Sequence, residues 1–99
     1  MPTSSARVVG IAWYQEERYE RIMALMVDGA SFPKTHASWQ HKAVRMEREL
    51  KRQGLHPVRV ELDPEAFRGW CAHRGLTPDS EARNLFVEME VARQTVGSG

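Results

Sequence analysis

Cys71, the chain's one cysteine, stands two positions before His73, and a thiol beside an imidazole is the pairing that makes a cysteine nucleophile. Two positions along a helix are about 200° apart around its axis, so the two side chains diverge. A local thiol–imidazole bond or a shared metal is therefore hard to form. Cys71 falls instead on one stripe with Phe67 and Trp70, which reads as an inert, buried thiol. His36, His41, His56 and His73 contain no i, i+4 pair with which a helix could grip zinc. With a single cysteine no zinc ribbon exists either, so neither a metal nor a cofactor is expected.

Glu61, Asp63 and Glu65 alternate, as in a magnesium site or an acid–base pair. Helix chemistry accounts for two of them: Asp63 is an N-cap ahead of Pro64, and Glu65 lies in the first turn, where the helix dipole favours a carboxylate. There is no glycine-rich phosphate loop, no G-x-S-x-G and no Walker-like lysine. No residue is assigned a catalytic role.

The binding candidates are cationic. Lys42, Arg45, Arg48, Lys51 and Arg52 share the helix expected at about residues 36–53, and such a face could track a phosphate backbone or meet an acidic protein. Glu47 and Glu49 interrupt it. Arg74 and Arg83 have no evident core role, and because a guanidinium is seldom buried unpaired, they are read as ion-pair partners in the fold or as an anion-binding pair. Tyr14 should point away from the face of Trp13, lie exposed, and contribute to a partner surface.

These residues must be held by a small set of elements. Val8 to Tyr14 is β-branched and aromatic, a first strand with its larger side chains at 9, 11 and 13 facing one way. From Gln15 to about Val27 the spacing turns helical, with Tyr19, Ile22, Met23 and Met26 on the apolar side and a stop at Asp28-Gly29. Thr35 caps the longest helix, which ends at Gln53 before Gly54 and buries the stripe Trp39, Ala43, Met46 and Leu50. Val58, Val60 and Leu62 alternate with Pro57, Arg59 and Glu61 in a second strand, and Pro57 marks its start or an edge. Asp63-Pro64 opens a helix ended by Gly75. Thr77-Pro78 opens another with Ala82, Leu85, Phe86 and Met89 inward, reaching about Gln94.

The expected fold class is therefore α+β, in the order β-α-α-β-α-α. Two helices between the strands return the chain to the end it left, which favours an antiparallel pair. A two-stranded sheet is marginal alone, so the helices must cover it or two subunits must join edges. Ninety-nine residues suit one domain, with an ordered core of about 7–94 and flexible termini. A composition of 41% hydrophobic and 27% charged residues is that of a folding globular chain. The formal charge of +1 is uneven: residues 31–59 hold seven Lys or Arg against two Glu, and residues 60–99 hold four Arg against seven acids. One cysteine suits a reducing compartment, and no stretch is apolar enough for export or a membrane span, so the cytoplasm is expected.

Taken together, Ile11-Ala12-Trp13-Tyr14, Asp63-Pro64-x-x-Phe67, Trp70-Cys71-x-x-Arg74-Gly75 and Ala82-Arg83-x-x-Phe86 make the chain resemble a group of short bacterial hypothetical proteins. The resemblance covers about residues 10–90 and implies a bacterial, cytoplasmic origin without an activity. The expected function is a non-enzymatic protein-interaction or regulatory module, with another protein as partner and a homodimer as one form. The alternatives are a nucleic-acid-associated protein using the basic helix, and a small enzyme using Cys71 or the Arg74 and Arg83 pair.

Overall fold

The computed structural model describes residues 7–97; of the termini expected to be flexible, 1–6 and 95–99, residues 1–6 and 98–99 lie outside the described residues. Strand β1 (Val8–Trp13) leads through a 3-10 turn (Glu16–Arg18) into α1 (Tyr19–Leu25). A second 3-10 turn (Gly29–Ser31) precedes α2 (His36–Arg52), followed by β2 (His56–Glu61), α3 (Pro64–Arg74) and α4 (Ser80–Gly97). The α+β class holds, with two 3-10 turns set into the expected order and α4 running three residues past the expected Gln94.

The strands are parallel, paired from Val8 with His56 to Trp13 with Glu61, and not antiparallel. Helix lengths explain the correction. At 1.5 Å per residue the seven residues of α1 span only about 10 Å, while the 17 of α2 span about 26 Å, enough to retrace a six-residue strand alone. Accordingly α1 stays by the carboxyl ends of the strands, where Arg18 bonds Asp63 at 3.1 Å. Helix α2 starts beside Trp13 and ends at Gly54, whose positive φ of 86° turns the chain into β2.

Local signals set most boundaries. Thr35 accepts the Ser38 N–H and Asp63 the Ala66 N–H, as N-caps should. Gly75 ends α3 in the left-handed region at φ 68°. Helix α4 differs from the expected Thr77-Pro78 opening. The Pro78 carbonyl is drawn aside to accept the Val27 N–H at 3.0 Å, and Asp79 caps the helix through the Ala82 N–H.

The principal core gathers at the carboxyl ends of the strands, where Ile22, Leu62 and Phe67 are completely enclosed with Tyr14, Tyr19, Met26, Cys71, Ala82 and Phe86. Helix α4 lies against β1 so closely that a Cβ on Gly10 would stand 2.4 Å from Val87 Cγ1. Val87 takes the buried place expected of Leu85, which is exposed.

Candidate functional site

The cationic face of α2 lies exposed, with Lys42, Arg45, Arg48 and Arg52 all on the surface. Helix α2 is turned so that Trp39, Ala43 and Glu47 face inward and Met46 outward, at 49% exposure. Spacing along the helix predicts the opposite, with Met46 buried and Glu47 in the charged field. Arg59 on β2 reverses them: its Nε and Nη2 donate to the two Glu47 carboxylate oxygens at 2.7 and 2.9 Å, over the Trp13 ring at 3.8 Å. The Arg59 bond holds the Glu47 carboxyl below the usual carboxylate range, against the opposing effect of burial. What remains outside is a shallow groove lined by Lys42, Arg45, Met46, Arg48, Glu49 and Arg52. Only Arg52 is answered there, by Glu49 at 3.3 Å, and Lys42, Arg45 and Arg48 carry no carboxylate partner among the described residues. A half-exposed methionine among unpaired cations can bind an anionic surface that also offers an apolar contact.

Tyr14, expected on the surface, is 6% exposed. It lies beyond the end of β1, where residues 28–33 and the start of α2 fold over it. Its ring stands 5.8 Å from Phe32, 4.8 Å from Trp39 and 6.2 Å from Tyr19. Burial pushes its hydroxyl up to about 12, Arg83 opposing and Asp28 reinforcing the shift. His36 Nε2 meets the Tyr14 carbonyl at 2.7 Å, and the Tyr19 hydroxyl donates to the Pro33 carbonyl at 2.6 Å. Of this cluster, spacing in the sequence places only Tyr19 and Trp39 on inward stripes; Phe32 falls in a loop and Tyr14 on the opposite face.

Arg83 lies against the same cluster. Its two Nη groups donate to the two Asp28 oxygens, both at 2.9 Å, and its guanidinium is 4.9 Å over Phe32. Burial is the largest influence and opposes its charge, but the Asp28 bond together with the charges of Tyr14, Asp28 and Asp79 outweighs it, so the Arg83 pKa rises, while the Arg83 bond lowers that of Asp28. Arg83 is thus the ion-pair partner that one of the two readings anticipated. Arg74 is placed apart, over the Trp70 ring at 5.0 Å and exposed, so the two arginines do not converge.

Cys71 is 2% exposed, and burial, with Asp79 nearby, raises its thiol pKa. A thiol held protonated is a poor nucleophile. His73 is exposed on another side of α3. Among the described residues no three His, Cys, Asp or Glu side chains group as a metal site, and no helix is long and apolar enough to cross a membrane. Comparison of the chain with protein-family models, with curated proteins and with solved structures finds no match.

Proposed function

We propose that this chain is a small non-enzymatic interaction module of the bacterial cytoplasm that receives an acidic segment of a partner protein on the outer face of α2. The observation that carries the reading is the setting of Met46, half-exposed among Lys42, Arg45 and Arg48, with Glu47 withdrawn to Arg59. The cations steer an acidic partner and set its register, and the flexible thioether accommodates an apolar side chain between its carboxylates. The partner segment should therefore carry Asp or Glu on either side of a hydrophobic residue.

Binding of nucleic acid is the second reading, because the same cations could follow phosphates. Glu49 inside the groove and Met46 at its centre favour a protein over a phosphate backbone.

The test is capture by the tagged protein from its own host, at low and high salt, beside a Lys42→Glu, Arg45→Glu, Arg48→Glu variant and a Met46→Ser variant. A stoichiometric protein that is lost on charge reversal and weakened by Met46→Ser is the expected result. Nucleic acid released steeply with salt moves the assignment to the second reading, and equal capture by all three proteins overturns both.

A further inference from the structure

The two outer edges of the sheet differ. The Arg7 carbonyl accepts from the His56 N–H at 2.8 Å and the Trp13 carbonyl from the Leu62 N–H at 3.0 Å. Alternation along a strand then turns the backbone groups of the odd residues of β1 toward β2 and those of Val8, Gly10 and Ala12 outward. The outward Tyr14 carbonyl is already taken by His36. In β2 the outward residues are Pro57, Arg59 and Glu61. Proline has no N–H to offer, and Arg59 and Glu61 make this a charged edge strand, both of which disfavour pairing. The β1 edge carries no such device: Val8, Gly10 and Ala12 present a full row of donors and acceptors, and none has a hydrogen-bond partner among the described residues.

We infer that the β1 edge pairs antiparallel with the β1 edge of a second copy of this chain, joining two two-stranded sheets into one of four strands. The row is self-complementary about Gly10. With Gly10 opposite the partner's Gly10, Val8 falls opposite the partner's Ala12 and the reverse, and all three are pairs that exchange both backbone bonds, about six hydrogen bonds in total. A shift by one residue aligns outward groups with inward ones and loses the set.

The surroundings of the edge also suit a copy of itself. The groove beside it is lined by Val8, Gly10, Ala12 and Val87, with one cation, Arg7, and one carboxylate, Glu88. Neither charge has an ion-pair partner among the described residues, so two such grooves meet with balanced charge, whereas two α2 faces would set cation against cation. Val8, 44% exposed in the monomer, is covered by the partner's Ala12. A third and fourth strand also relieve the marginal stability of a two-stranded sheet.

Sedimentation of the full chain over a concentration series, with amide hydrogen exchange read by NMR, tests the pairing. The expected result is a dimer in which the Val8, Gly10 and Ala12 amides become protected as concentration rises. Val8→Pro removes an outward N–H while sparing the β1–β2 ladder, and should weaken the dimer roughly tenfold or more with an unchanged far-ultraviolet spectrum. A protein that stays monomeric at NMR concentrations overturns the inference. So does a dimer whose Val8, Gly10 and Ala12 amides exchange freely, a readout that needs no variant to fold.

Discussion

Arg59 closes on Glu47 through both carboxylate oxygens, at 2.7 and 2.9 Å, with its guanidinium 3.8 Å over Trp13. One side chain thereby ties β2 to α2 and covers an aromatic ring of β1. The planar fork matters, since a lysine ammonium has no flat face to lay on the ring and no paired N–H groups set to match the two carboxylate oxygens. The same pair removes a negative charge from the outer face of α2, so a structural contact shapes the proposed binding surface.

Arg59→Ala should therefore uncover Trp13, giving a red-shifted tryptophan emission in the folded protein. Glu47→Gln should remove an acid-dependent part of stability. The folded Glu47 pKa lies below its ordinary 4.5, so the contribution is full above that value and is lost as pH falls through the lower folded value. Urea unfolding along a pH series should show wild type and Glu47→Gln converging in acid; a constant difference would refute the assignment.

Asp28→Asn should cost about 2 kcal/mol near neutral pH, because it leaves the 14%-exposed Arg83 side chain without its charged acceptor. The sign of the pH dependence is the same. With the folded Asp28 pKa below its ordinary 3.8, the penalty relative to wild type should shrink as pH falls beneath that value. Denaturant midpoints for both proteins on either side of it provide the check.

Gly10→Ala should destabilise by ~1–3 kcal/mol, since the new methyl would stand 2.4 Å from Val87 Cγ1 and 2.7 Å from Val91 Cγ2. In a Val87→Ala background the nearer obstruction is gone, and the cost should fall by about 1 kcal/mol. A double-mutant cycle by thermal unfolding measures that coupling, and strict additivity would contradict the close approach of α4 to β1.

Cys71 should resist a thiol reagent in the native protein and react only at the rate at which the chain opens. Its thiol is buried and its pKa raised, so both access and thiolate are scarce. Labelling followed against urea concentration should accelerate with unfolding. Rapid, stoichiometric modification without urea would return Cys71 to the list of reactive groups.

Local and periodic features were decided by the sequence alone. Thr35, Asp63-Pro64, Gly54 and Gly75 act within one turn of their own backbone, so their caps and stops are legible wherever the chain goes. The two strand spans, the inward Phe67 and Cys71, and the basic composition of α2 follow from spacing in the same way. Strand direction, the burial of Tyr14 and the exchange of Met46 for Glu47 were settled only in three dimensions. Each depends on a group distant in sequence: α2 spanning the whole strand length, residues 28–33 closing over the end of β1, and Arg59 arriving 12 positions after Glu47. Periodicity says which side chains share a face, but what that face meets is fixed by contacts between elements, and those exist only once the chain is packed.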